Sequence, residues 1–421
     1  MEKILIKSAF IINHISPYHL QKKDILIENN KIIAIADEIK DLAVVVSGKN
    51  LVAAVGFLDM RCHIPDLGFE HKETLETARK AAMAGGFTQL CVLPNMQPIL
   101  DTKDSVSYMM RGNKENLVQI HPIAAVSSKA KGETLSEMLN LHQAGAVAFS
   151  DGLEPIYNED ILLKSLLYLQ KIKALLIQKP ENRILSRFGQ MHEGEVSTLL
   201  GLKGIPTIAE TITIQRDLEI LRYTGGKIHF SCVSSAEAVG LIRKAKQEGL
   251  AVTCDVSALQ LCFTEQDLVN FDTNFKVNPP FRNDKDRLAL WEGILDGTVD
   301  AITSDHQPQD TENKEVEFDL AAFGAISLQT AFPGVFTHKP SADYLENLLE
   351  ALGNNPRQIL GLPLVRIAEK EPIDLVVWDL EQQWTFDSQH NFSKSANSPF
   401  LGEQLEVKLL ATFYGDYHYL A

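Results

Sequence analysis

The chain has 421 residues, 45% of them hydrophobic and 23% charged, which excludes intrinsic disorder as a description of the whole chain. Its formal net charge is −15, from 40 basic and 55 acidic residues. That balance argues against nucleic acid or an anionic membrane as a partner, because both draw their affinity from a basic surface. A small anionic ligand stays compatible with it, since the field inside a pocket is local. The N-terminus, Met1 to Ile6, lacks the apolar core of a signal peptide, and no apolar run reaches the roughly 18 residues of a membrane helix. Five cysteines at 62, 91, 232, 254 and 262 form no compact framework and no CxxC pair. They read as reduced thiols of a cytoplasmic protein.

In chain order, residues 4–7, 10–12, 24–27 and 31–35 are short Ile-rich runs with strand character, and Asn29-Asn30 between the last two reads as a hairpin turn. From about residue 56 short apolar runs alternate with amphipathic stretches. Eight strands are expected at 56–63, 89–93, 118–125, 146–150, 174–177, 227–231, 251–254 and 300–303, with helical patterns such as 72–84, 236–248 and 284–295 between them. Glycines before several strands (Gly85-Gly86, Gly145, Gly225-Gly226, Gly249) suit helix C-caps. Eight βα alternations over roughly 250 residues predict an α/β fold, a (β/α)8 TIM barrel. Strand-like runs return at 373–378, 405–410 and 411–414. The domain expectation is therefore a barrel over 53–364 beside a small β-sandwich made from both chain ends, 1–52 plus 365–421.

Catalytic groups of such barrels stand at the C-terminal ends of the strands. Those positions hold Arg61-Cys62-His63, Pro94-Asn95, Asp151-Gly152, Gln178-Lys179, Cys232, Asp255 and Asp305-His306. The runs Gly56-Phe57-Leu58-Asp59-Met60-Arg61-Cys62-His63, Gly68-Phe69-Glu70-His71-Lys72-Glu73, Lys276-Val277-Asn278-Pro279-Pro280-Phe281-Arg282, Thr303-Ser304-Asp305-His306 and Asn397-Ser398-Pro399-Phe400 resemble, in order and over nearly the whole length, the dihydroorotases. These are cyclic amidohydrolases of pyrimidine biosynthesis in the amidohydrolase superfamily. The resemblance implies a barrel with a composite β-sandwich and zinc-assisted hydrolysis of a ring amide. It also implies ligands at two strand-1 histidines spaced i, i+2, a strand-4 carboxylate or modified lysine, and histidines on strands 5 and 6.

Against that pattern this sequence departs at the decisive positions. Arg61 replaces the first histidine, Gln178 the strand-5 histidine and Cys232 the strand-6 histidine. Pro65 stands where the family carries the arginine for the substrate carboxylate, and Ala258-Leu259-Gln260 replaces a Pro-His-His. His63, Asp151 and Asp305 remain as remnant metal ligands, Asp305 also as a vestigial general base, and Cys232 is a conceivable further ligand. Asn95 and Asn278 match substrate-contacting positions; they and Asp255 serve equally well as loop-geometry residues. A guanidinium has no lone pair for a metal and stays protonated. At ~4 Å from a divalent ion it repels by roughly 8 kcal/mol at an effective dielectric of 20. Arg61 is therefore expected to act as a replacement cation that pairs with Asp151 or Asp305. The pair with Asp151 would lower that carboxyl's pKa. His63 reads as a packed barrel histidine with a backbone-directed hydrogen bond, and His229 and His306 as structural.

Three functions remain in play. One is a dihydroorotase homologue without catalysis that acts as a structural partner, as family members lacking their ligands do for aspartate transcarbamoylase, in a homo- or hetero-oligomer and with no cofactor. Another is an active dihydroorotase with a reduced mononuclear zinc site. The third is a metal-free module that binds an anion through Arg61.

Overall fold

The computed structural model describes residues 3–29 and 31–421, so Met1, Glu2 and the second half of the Asn29-Asn30 turn lie outside the described residues. Asn29 itself takes a positive φ of 48°, as a tight hairpin requires. Eight parallel strands follow one another around a barrel in sequence order: Phe57–Cys62, Phe87–Val92, Gln119–Ala124, Ala148–Phe149, Leu175–Gln178, Ile228–Phe230, Val252–Ser257 and Ala301–Thr303. All six residues of the first two strands are buried, the mark of parallel strands covered on both faces. The first and eighth strands close the ring through a parallel bridge between Cys62 and His306 and a hydrogen bond from His63 N to His306 O of 2.9 Å.

Helices cover the barrel where the sequence periodicity placed them. Leu75–Ala84 starts on Thr74, whose hydroxyl accepts from Thr77 N. Ala236–Gln247 starts on Ser235 and Asp284–Leu295 on Asn283, each side chain accepting a first-turn N–H. Gly86, with φ +81°, turns the chain into the second strand, where a Cβ would sit 2.9 Å from Trp378 and Val376.

The chain ends meet in a second, mixed sheet. Leu51–Val55 pairs parallel with Ile4–Ile12 and antiparallel with Asp374–Asp379, so the strand that leads into the barrel also stitches both termini together. Two expected short runs, 4–7 and 10–12, are one strand bent at Ser8 (φ 52°), whose N–H is taken by Asp24 while Lys7 pairs with the same carboxylate at 2.7 Å. Likewise the expected 405–410 and 411–414 runs resolve into Gln404–Leu405 and a continuous Lys408–Tyr414. Among the described residues no helix is long and apolar enough to cross a membrane.

Candidate active site

At the strand ends the structure brings Arg61 and Asp305 together, while His63, Asp151 and Gln178 turn to other partners. The Arg61 side chain is 1% exposed and Asp305 4%. Arg61 Nε donates to Asp305 Oδ1 at 2.8 Å, and Gln307 Nε2 donates to the same oxygen at 2.7 Å. Arg61 Nη1 reaches Gly152 O at 3.4 Å, and Nη2 is buried without a partner. Of the two carboxylates open to Arg61, Asp305 is the one used. Asp151 turns instead to the preceding strand's loop, accepting from Ser127 N (2.9 Å) and Ser127 Oγ (2.5 Å). The expectation of a lowered Asp151 pKa is thereby corrected: burial raises it, with Ser127 opposing, and no cation offsets the desolvation.

His63 Nε2 bonds Asn95 O at 2.7 Å, the backbone-directed bond expected of it, and Nδ1 is buried with no partner. Burial drives the His63 pKa down to about 4, so the ring is neutral. Gln178 is tied to the Ile156 backbone through both amide atoms (2.9 and 3.1 Å) and to Asp217 at 2.8 Å. Cys232 lies in the left-handed region (φ 57°), its N–H given to Asp255 Oδ1 at 2.6 Å. Burial pushes its thiol well above the ordinary value, which keeps it neutral. Asp255 also accepts from His229 Nε2 at 2.9 Å, so His229 and Asp255 together hold the strand-6 turn. Pro65 opens the loop after the first strand by accepting from Phe69 N at 3.1 Å. Gln260 Nε2 donates to Pro279 O at 2.8 Å.

Asn95 and Asn278 differ in their surroundings. Asn95 Nδ2 donates to Asp151 O (3.0 Å) and Oδ1 accepts from Leu153 N (2.8 Å), so both amide atoms are spent on the Asp151–Leu153 turn. Gly152 makes that turn possible: its φ is +70°, and a Cβ there would lie 1.9 Å from Asn95 Oδ1. Asn278 donates to Glu181 at 3.2 Å and lines a cavity of about 450 Å³ at the barrel mouth.

Several residues gain a role that local patterning does not signal. Asp59, fully buried, accepts from Arg61 N, Ser304 N and the hydroxyls of Thr303 and Ser304, and so ties the first strand to the eighth; burial raises its pKa to about 6. Glu73 accepts from Ser393 and from His306 Nε2 (3.3 Å), while His306 Nδ1 accepts from Ser327 N at 3.2 Å. His306 is thus structural, and the scattered motifs around residues 73, 306 and 393 form one lock over the barrel rim. Among the described residues, the trio of His, Cys, Asp or Glu whose ligand atoms lie within 4.8 Å of one another is His14, His19 and Glu346, which joins the terminal sheet to a barrel helix and includes none of the strand-end residues.

A barrel of this topology, with its chemistry-bearing residues at the strand ends and a sheet from both termini, is of the amidohydrolase type. The fold is shared at TM-score 0.84 with the L-hydantoinase (dihydropyrimidinase) from Arthrobacter aurescens, 22% identical and aligned over 99% of this chain and 96% of that one. A family model described as Dihydro-orotase-like matches residues 48–238. The dihydroorotase of Caldicellulosiruptor saccharolyticus is 37% identical over 98% of this chain and 97% of its own length. That of Pelotomaculum thermopropionicum is 36% identical over 98% and 97%. The chain belongs to the dihydroorotase family.

Proposed function

We propose that this chain is a dihydroorotase-family protein that no longer hydrolyses a ring amide, holds no catalytic zinc, and serves as a structural partner in an assembly. The observation that carries this reading is the Arg61–Asp305 ion pair at 2.8 Å. Its cation is the residue that the family resemblance aligns with the first strand-1 histidine, and its counter-ion is the carboxylate the resemblance assigns as general base. The donor set does not fit zinc. A guanidinium offers no lone pair, and the Gln178 amide is held by Ile156 and Asp217. Aspartate transcarbamoylase, the partner that the family resemblance suggests, is the proposed one, in a homo- or hetero-oligomer in the cytoplasm.

A second reading is an active dihydroorotase with a mononuclear zinc site. It is favoured by the names of the relatives and by His63 Nδ1, a buried nitrogen with no partner. One experiment separates the two. Hydrolysis of dihydroorotate and its reverse are assayed with and without added zinc, and metal is quantified in the same sample. The first reading expects no turnover and no retained zinc. Zinc-dependent turnover that is lost in Asp305→Ala would establish the second.

A further inference from the structure

The turn between the first two strands of the terminal sheet, Ile4–Ile12 and Gln21–Glu28, carries two histidines, His14 and His19. Their ring centroids lie 4.6 Å apart. Against them stands the helix Leu345–Leu352, which presents Glu346 and, one turn on at i+4, Glu350. His14, His19 and Glu346 bring one ligand atom each to within 4.8 Å of one another. None of the three belongs to the strand-end cluster, and none lines the cavity at the barrel mouth.

The spacing suits a shared ion better than a hydrogen bond. His19 Nε2 stands 3.5 Å from Glu346 Oε2, beyond the roughly 3.2 Å of an N–H···O hydrogen bond. Two ligands on a tetrahedral zinc ion, with bonds of about 2.0 Å, lie ~3.3 Å apart. The turn is also held in place by its own contacts. Ser16 N donates to Asn13 O at 2.8 Å, and Ser16 Oγ donates to Ile367 O at 2.5 Å. The buried Asn13 side chain donates to Val365 O (3.3 Å) and accepts from Ile367 N (3.1 Å). Pro17 fixes its own φ between the two histidines. Glu350 Oε1 accepts from His14 N at 3.0 Å, so a helix carboxylate seats the histidine turn on the barrel. Ligands ordered in advance lose less entropy on binding.

Two imidazoles and a carboxylate are a donor set for zinc and its neighbouring transition ions, whereas magnesium and calcium prefer oxygen. We propose that His14, His19 and Glu346 bind a divalent transition-metal ion, zinc by their chemistry, which clasps the terminal sheet to the barrel. Glu350 is a positioning residue of this site. The ion takes the lone pair of His19 Nε2; the ring proton then resides on Nδ1, and the 3.3 Å contact from Asn13 N to Nδ1 is given up. That cost and the exposure of His14 make the ion exchangeable, so dialysis against a chelator removes it. The clasp does not depend on the metal-free reading of the strand ends.

The test uses the intact protein, dialysed against EDTA and then titrated calorimetrically with zinc chloride, with magnesium chloride as the contrasting ion. The parent is expected to bind one equivalent of zinc more than His14→Ala/His19→Ala, and zinc is expected to raise the thermal midpoint of the parent but not of that variant. Glu346→Gln, which keeps the side chain's size, should weaken the same binding tenfold or more. His418→Ala, on the edge strand Tyr417–Leu420, should leave it unchanged. Equal zinc stoichiometry in parent and double variant, or a midpoint raised as much by magnesium as by zinc, overturns the proposal. The altered side chains are exposed or half-buried, so a circular-dichroism melt without zinc that matches the parent separates lost binding from lost fold. A further equivalent common to parent and double variant would refute the metal-free reading of the strand ends and leave the clasp standing, because the clasp is read from the difference between the two.

Discussion

Arg61→Met removes the guanidinium and keeps most of the side chain's length, leaving the Asp305 carboxylate buried with Gln307 as its remaining donor. At 2.8 Å and an effective dielectric of 20, the attraction between the two charges is about 6 kcal/mol, and much of it offsets the cost of taking both out of water. Removing one partner leaves that cost uncompensated, so the variant is expected to lose about 3–5 kcal/mol. Asp305→Leu in the Arg61→Met background removes the stranded charge as well and recovers most of the loss. Urea unfolding followed by circular dichroism at pH 7 gives the four corners of the double-mutant cycle. A deficit under about 1 kcal/mol, or a double variant no more stable than Arg61→Met, would refute the assignment of this pair as the replacement for a metal centre.

Other consequences are equally direct. Reverting Arg61, Gln178 and Cys232 together to His is expected to restore zinc binding, read by metal content after dialysis, without restoring full activity, because Pro65 still lacks a guanidinium; a triple revertant that binds no zinc would mean these strand ends do not converge on one centre. His63, His121 and His192 are each held neutral by burial, with pKa values brought down to about 4 from 6.5. Their folded-state values lie below the unfolded ones, so their stabilisation is complete above about pH 6.5 and is lost as pH falls toward 4. Each contributes up to about 3 kcal/mol, and an unfolding free energy flat across that window would contradict it. Gly152→Ala is expected to cost more than about 1 kcal/mol, since φ of +70° and Asn95 Oδ1 both oppose a Cβ there; a thermal midpoint equal to the parent's would show that the turn relaxes freely.

The barrel was legible because its signals are local. Parallel strands buried on both faces read as short apolar runs, and the runs expected at 89–93 and 227–231 fall on Phe87–Val92 and Ile228–Phe230. That the Arg61 guanidinium is no metal ligand could also be read from residue identity alone, since it has no lone pair to offer in any fold. Pairing was not legible in this way. Arg61 had two candidate carboxylates, and the choice of Asp305, 244 residues away, depends on how the eighth strand closes against the first. Asp151 is excluded by Ser127, a hydroxyl on a neighbouring loop that no spacing rule connects to it. The stacked arginines of the loop after the fifth barrel strand lay further still from the sequence signal. Arg183 and Arg187 resemble any solvated basic residues until Tyr157 and Phe188 are seen beneath them and Asn278 and Gln307 in the same cavity wall.

A net charge of −15 still argues against nucleic acid. The sequence by itself determined the barrel and the sheet drawn from both ends, because hydrophobic period is a property of the residues themselves. Only the tertiary structure decided which charge neutralises which and which cations stay free, because those depend on distances between residues that the chain keeps far apart.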